Sequence, residues 1–165
     1  LAVGIGLNTG PCCVGNFGSA QRFDYSAIGN DVNLASRFEG LTKYYGLPIL
    51  VGAATAEAAP EFALLEIDLV SVKGYERPVR LYALLGDEME RERPEFVEVA
   101  DRQKAMLEAY RSGQFELAER RLAALRHVSD PVLTTLWQIY EDRISNYKLR
   151  PPAPSWDGRA IAELK

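Results

Sequence analysis

The chain has 165 residues, of which 47% are hydrophobic and 25% are charged, a composition typical of globular proteins that can bury a core. Its net charge of −4 and isoelectric point near 5.1 argue against a general nucleic-acid-binding or anionic-membrane surface.

Cysteine and histidine usage argues against a disulfide framework and a zinc site. Cys12 and Cys13 are the only cysteines, and neighbouring residues of a strand point to opposite faces. A reducing, cytosolic setting therefore fits better. The sequence contains no second cysteine pair, and its single histidine, His127, lies far along the chain from Cys12 and Cys13. A zinc site is therefore not expected. The chain opens with Leu inside a predicted strand, and we expect it to be part of a longer polypeptide.

The first predicted elements are three strands and a helix. Residues 2–8 and 12–17 are predicted to pair as a hairpin across the turn Thr9-Gly10-Pro11. Residues 22–27 alternate between two faces, as a half-buried strand does. A helix is predicted over residues 30–45, ended by Gly46. Its buried stripe is expected to be Val32, Ala35, Phe38, Leu41 and Tyr45.

The remaining elements of the first half complete a layered domain. Strands are predicted over residues 48–51, 62–72 and 79–85, and a short helix over residues 53–59. In the second of these strands Glu66 and Asp68 alternate with Leu65, Ile67 and Leu69. We predict that residues 1–86 form an α+β sandwich of the ferredoxin-like kind, with a sheet on one side and helices on the other.

The composition changes after Gly86. Residues 87–95 are predicted to be a charged linker, and residues 96–165 a helical tail. The spacing of Tyr110, Gly113, Phe115 and Ala118 is similar to that of one tetratricopeptide-type helical hairpin. A third helix is predicted over residues 131–147. After an extended proline-rich stretch, the indole of Trp156 is expected to dock back on the body.

Four polar residues have no evident structural role. Taken singly, Asp24, Asn33, Arg37 and Lys73 are ordinary surface residues, and each is more often that than a ligand-binding group. Taken together, a carboxylate on a strand, an Asn-x-x-x-Arg helix face and a loop lysine suit a nucleotide. A carboxylate accepts from the exocyclic amine of a base, and cationic side chains neutralise phosphate oxygens. The glycine-rich residues 15–19 lack the phosphate-loop pattern and a following helix.

The same residues carry a resemblance to a known family. The stretch GIGLNTGPCCVGNFGSAQRFDYSAIGNDVNLASRFEGL, followed by VKGYERPVRLYAL, resembles the C-terminal half of the class III adenylate/guanylate cyclase catalytic domain over residues 1–86. The resemblance implies a ferredoxin-like fold and a head-to-tail homodimer with active sites at the interface. It also implies conversion of ATP to 3′,5′-cyclic AMP and pyrophosphate.

The resemblance implies a role for each candidate residue. Asp24 matches the aspartate that selects the purine and favours adenine, although GTP stays open, and Ile28 lies where a backbone group approaches the base. Asn33 matches the asparagine that orients the ribose, and Arg37 the arginine that stabilises the transition state at the α-phosphate. Lys73 matches the lysine that binds the terminal phosphates.

The family's other site residues are not in this chain. Two Mg²⁺ or Mn²⁺ ions are implied as cofactors, but their aspartate ligands and the lysine partner of Asp24 belong to upstream strands. Asp31 is not a substitute, so no metal ligand is predicted here. We expect the chain alone to be inactive. The tail is similar to that of bacterial cyclases with an upstream sensor and membrane helices, which implies a cytoplasmic domain at the inner face of the membrane.

Two other functions stay open at this point. One is a non-catalytic cyclase-homology module that serves dimerisation or regulation, against which the presence of all four candidate residues argues. The other is an interaction protein whose helical tail binds the partner.

Overall fold

The computed structural model describes residues 3–19, 22–72, 75, 77–127 and 131–161. Strands and helices follow one another along these ranges, and a 3₁₀ turn, Pro131–Leu133, precedes the last helix. The elements are β1 Ile5–Leu7, β2 Cys13–Ser19, β3 Arg22–Ile28, α1 Asn30–Tyr45, β4 Ile49–Gly52, α2 Ala53–Ala58, β5 Ala63–Ser71, β6 Val79–Gly86, α3 Glu88–Arg91, α4 Pro94–Arg111, α5 Phe115–Arg126, α6 Thr134–Leu149 and β7 Ala160–Ile161.

The strands form one five-stranded sheet and a separate two-stranded arm. The sheet order is β1-β4-β6-β5-β7, in which β1 runs parallel to β4 and β7 parallel to β5. The pairs β4–β6 and β6–β5 are antiparallel. The arm is the antiparallel pair β2–β3. The predicted α+β class with a helical tail is confirmed, while the division into domains at residue 86 stays a prediction.

The predicted hairpin of residues 2–8 with residues 12–17 is wrong. Ile5 pairs with Ile49 of β4, and Cys13 pairs with Ile28 of β3. The chain leaves β1, makes the arm, and returns through α1 to a parallel strand, which is a crossover connection. Period-2 alternation shows that a segment is a strand but not which strand it pairs with, so the sequence pattern did not distinguish the two arrangements.

Helix α1 packs on the sheet through residues that only partly match the predicted stripe. Phe38, Leu41 and Tyr45 are buried as predicted, whereas Val32 and Ala35 are half-buried and Leu34 is buried instead. The predicted end is confirmed, because Gly46 takes a left-handed conformation with φ of 69°. The facing core side chains of the sheet include Leu50, Leu81 and Ala83.

A β-bulge in β5 turns Asp68 into the core. Glu66 pairs with Tyr82 and Asp68 pairs with Leu81, so Ile67 is an extra residue between them. The bulge breaks the simple alternation that the sequence predicted for this strand. Asp68 therefore faces the same side as the buried Leu81 and is itself 0% exposed.

The buried Asp68 carboxylate joins three elements. Its Oδ2 accepts from Arg143 of α6 at 2.6 Å and from the Tyr45 hydroxyl of α1 at 2.7 Å, and its Oδ1 accepts from the Leu69 N–H at 2.8 Å. Burial and the Asp68 charge raise the pKa of the Tyr45 phenol. Burial lowers the pKa of the Arg143 guanidinium. The neighbouring Asp68 carboxylate and the phenols raise it by more, so the pKa of Arg143 lies above its ordinary value. The tail is thus ion-paired to the sheet.

Other tail side chains hydrogen-bond to the backbone of β5. Gln103 of α4 donates to the Glu66 carbonyl at 3.5 Å, and Tyr140 of α6 donates to the Ile67 carbonyl at 2.8 Å. The Trp156 ring lies 5.2 Å from the Tyr110 ring of α4, so the indole packs on the helices of the tail itself. The tail and the sheet share one hydrophobic core.

Within the described part of the chain, none of the helices has the length and apolar character needed to cross a bilayer.

Replacing Arg143 by Met is expected to destabilise the chain by about 3–5 kcal/mol, because it leaves the Asp68 carboxylate buried without its cation. Adding Asp68→Asn should recover part of the loss, since a neutral amide still accepts from Tyr45. Lys148→Met on the same helix is the matched control. It removes the more exposed pair with Glu119 and should change stability by about 0–1 kcal/mol. Denaturant unfolding measures all three, and equal losses for Arg143→Met and Lys148→Met would contradict the assignment.

Candidate functional site on helix α1

The polar face of α1 starts directly where β3 ends. Gly29 is the only residue between Ile28 and Asn30, and its carbonyl accepts from the Asn33 N–H at 3.1 Å. A side chain at Gly29 would place its Cβ 3.1 Å from the Pro11 carbonyl oxygen, so the backbones of the arm and the helix meet closely here. Asn33 therefore lies in the first turn, near the positive end of the helix dipole.

Asn33 and Arg37 share one face of the helix. They are four residues apart, which is about 6 Å along the axis. Asn33 is exposed and Arg37 is half-buried, with the exposed Ser36 and Gly40 beside them. The face presents an amide, which both donates and accepts hydrogen bonds, next to a planar guanidinium that suits a phosphoryl group. These two predicted residues are thus brought together.

Tyr75 adds a phenol to this face that sequence reasoning missed. Partial burial raises the pKa of the Tyr75 phenol, Asp31 raises it further, and Arg37 opposes the rise, so both charges lie near the ring. Its hydroxyl is buried and finds no hydrogen-bond partner among the residues that the structure describes. The Tyr75 N–H donates to the Val72 carbonyl at 3.0 Å. The predicted Lys73 lies outside the described residues.

Asp24 and Ile28 lie on the arm. Asp24 is exposed and pairs in register with Phe17. It is four residues from Ile28, or about 13 Å along β3 at 3.3 Å per residue. Ile28, next to the start of α1, is 52% exposed. The arm therefore carries Asp24 away from the start of α1, while Ile28 stays next to it.

The structure also contains a contact at the start of α1 that the sequence did not indicate. The Asn8 side-chain amide donates to Asp31 twice, to its carbonyl at 3.3 Å and to its carboxylate at 3.1 Å. The two residues are 23 positions apart, so no local pattern marks them as partners.

The described residues do not fit a divalent cation. Within the ranges that the structure covers, no three carboxylate, cysteine or histidine side chains are grouped so that they could hold a metal ion. The polar face of α1 provides an amide, a guanidinium and a phenol, and not the grouped carboxylates that usually hold Mg²⁺.

The family comparison assigns the class of the domain. The family model of the adenylate and guanylate cyclase catalytic domain matches residues 1–86, just over half of the 165-residue chain. The chain belongs to this family, and its N-terminal half is part of a cyclase catalytic domain.

Similar proteins include curated adenylate cyclases. The chain is 42% identical over 86 residues to an adenylate cyclase of Anabaena cylindrica, covering 50% of this chain and 17% of that protein. It is 38% identical over 97 residues to the terminal-differentiation-specific adenylate cyclase of Dictyostelium discoideum, covering 56% of this chain and 5% of that protein. Among solved structures, the adenylyl cyclase CyaB from P. aeruginosa matches with 37% identity and a TM-score of 0.44, covering 50% of this chain and 41% of that one. The chain thus spans a small part of its curated relatives.

Changing Gly6 to Ala is expected to push α1 off β1. An added Cβ would overlap the Ala35 carbonyl oxygen and lie 2.5 Å from the Glu39 nitrogen, both backbone atoms of the helix. Such overpacking destabilises by about 1–3 kcal/mol. Gly15→Ala in the arm is the matched control, because nothing lies within 4 Å of its added Cβ. Denaturant unfolding should show a loss for the first variant and none for the second, and equal stability of the two would refute the close contact.

Proposed function

We propose that the chain is part of an adenylate cyclase that converts ATP to 3′,5′-cyclic AMP and pyrophosphate for intracellular signalling. The observation that carries the proposal is the placement of Asn33 and Arg37 one turn apart on an open face of α1, in a chain that belongs to the cyclase family. The curated relatives named adenylate cyclase support the choice of ATP over GTP.

The proposed reaction is an intramolecular displacement at phosphorus. The ribose 3′-oxygen forms a bond to the α-phosphorus as the bond to the pyrophosphate oxygen breaks, and the hydroxyl proton is released. Negative charge builds up on the phosphoryl oxygens during this step. Arg37 stabilises that charge, and Asn33 holds the ribose so that its 3′-oxygen faces phosphorus. Positioning and charge stabilisation together account for most catalysis of this kind.

The other site residues bind the two ends of the nucleotide. Asp24 accepts from the exocyclic amine of adenine, and the backbone at Ile28 lies along the base. Lys73 binds the terminal phosphates. A carboxylate acceptor disfavours guanine at the same position, because guanine presents a carbonyl oxygen where adenine presents its amine.

We further propose that the active form is a homodimer of the full-length protein. The edge strand β1, the residue two before it and the arm expose large apolar side chains to solvent in the single chain: Val3 64%, Ile5 41%, Leu7 39%, Val14 56% and Tyr25 76%. Apolar edges and patches of this kind are usually covered by a partner. The distance along the arm between Asp24 and α1 supports a site to which two copies contribute.

Two Mg²⁺ or Mn²⁺ ions are part of the proposal as cofactors that polarise the phosphates. We place their ligands in the upstream part of the full-length protein. The residues of this chain act on the base, the ribose and the phosphoryl oxygens.

Arg37→Ala and Asn33→Ala in the full-length protein are expected to lower kcat by about 10²–10³-fold, the usual effect of removing a donor that stabilises transition-state charge. Ser36→Ala is the matched control on the same helix and should stay within about twofold of the original kcat. Cyclic AMP formed from ATP, quantified chromatographically, gives the rates. Full activity of the Arg37 variant would rule out the assigned role.

The 165-residue chain on its own is expected to form no cyclic AMP from ATP with Mn²⁺, because the proposed metal ligands are elsewhere. The full-length protein, assayed at the same concentration, is the control. Product from the purified chain alone would show that the metal ligands lie within it.

A further inference from the structure

The first turn of α1 is held by one side-chain amide, which comes from the chain segment between β1 and the arm. Asn8 follows β1 directly, and its Nδ2 donates to the Asp31 carbonyl at 3.3 Å and to Asp31 Oδ1 at 3.1 Å. Asp31 is the second residue of the helix and two residues before Asn33. A single side chain thus contacts both the backbone and the side chain of the turn that begins the polar face.

The surroundings of Asn8 leave this contact little room to shift. A Cβ added to Gly10 would lie 2.6 Å from Asp31 Oδ1, so the turn passes directly over the carboxylate. A Cβ added to Gly52, at the end of β4, would overlap Asn8 Oδ1 and lie 2.9 Å from the Phe38 ring. The Thr9 hydroxyl is 2.8 Å from that of Thr55 in α2. The turn is therefore packed against α1, β4 and α2 together.

A small rotation of α1 would matter for the polar face. A side-chain tip about 6 Å from the helix axis moves about 1 Å when the helix turns by about 10°. Misplacement by about 1 Å can lower a rate by about 100-fold. The sheet face of α1 fixes its tilt through apolar contacts, whereas Asn8 provides a directional hydrogen bond that fixes its rotation near Asn33.

We propose that Asn8 is a positioning residue for the reaction: by holding Asp31 it sets the rotation of α1 and so the places of Asn33 and Arg37. This inference rests on the proposed function. Asn8 acts through Asp31, and it is assigned no contact with the substrate. The side-chain part of the contact joins a neutral donor to a charged acceptor, so these two side chains can be exchanged between the positions, although the contact of Asn8 with the Asp31 carbonyl is then lost.

The test is an exchange of the two side chains in the full-length protein. Asn8→Asp places a second carboxylate about 3 Å from the first, and the repulsion should lower kcat at pH 8 at least about tenfold, with KM within about twofold. Because two such carboxyls share a proton at lower pH, the deficit should shrink as the pH falls. The double variant Asn8→Asp with Asp31→Asn restores one amide and one carboxylate. It should raise kcat at least about threefold above that of Asn8→Asp but not to the original value, because a carboxylate at position 8 cannot donate to the carbonyl of residue 31.

Thr9→Ala is the control, since it removes the neighbouring contact with Thr55 and leaves Asn8 intact. It should leave both kcat and KM unchanged. An unaltered kcat in Asn8→Asp would overturn the proposal, as would a folded double variant whose kcat is no higher than that of Asn8→Asp.

Hydrogen exchange gives a readout that does not depend on activity. The amides of residues 30–37 should exchange at least about tenfold faster in Asn8→Asp than in the original protein, and at an intermediate rate in the double variant. If the unaltered full-length protein forms no cyclic nucleotide, the proposed function fails, and the exchange rates still decide whether Asn8 holds α1. Unchanged exchange in Asn8→Asp would overturn that part as well.

Discussion

The buried carboxylate of Asp68 is the constraint on which the rest of the structure depends. A carboxylate that is 0% exposed is strongly unfavourable unless a cation and hydrogen-bond donors surround it. Here the cation is Arg143 of the tail, and one of the donors is Tyr45 of α1. The bulged strand, the C-terminal end of α1 and helix α6 are therefore stable only together. The tail is in this sense part of the sheet's own packing, because without it β5 would carry an unpaired charge in the core.

Helix α1 is fixed at its two ends by different kinds of contact. Its last turn is attached to Asp68 through Tyr45, while its first turn is held by Asn8. Between them, the backbone at Ala35 and Glu39 packs closely on Gly6. The exposed face with Asn33 and Arg37 lies between these attachments. A rigid helix with both ends anchored is a suitable support for groups that must be placed accurately.

The sequence predicted those features that depend on neighbouring residues. The helix over residues 30–45 has an apolar period and a glycine after its last turn, and both are local signals. The partner of β1, the bulge beside Ile67 and the contact of Asn8 with Asp31 involve residues far apart in the chain, which no local pattern records. For the site, the family motif indicated Asn33 and Arg37, whereas Tyr75 reaches them only through a turn that follows a separate strand.

The chemistry of the α1 face explains why one chain is an incomplete catalyst under the proposed function. An amide, a guanidinium and a phenol can hold and stabilise a phosphoryl group, but they supply neither the carboxylates that usually hold a metal ion nor a strong base to activate a hydroxyl. Asp24, which could select the base, lies about 13 Å along β3 from Ile28 and farther from the start of α1. Exposed apolar side chains lie on the same arm, and one of them, Ile28, adjoins the start of α1. A partner that covered those apolar surfaces would also bring its own polar groups next to Asn33 and Arg37, so burial of the edge and completion of the site would occur in one association step.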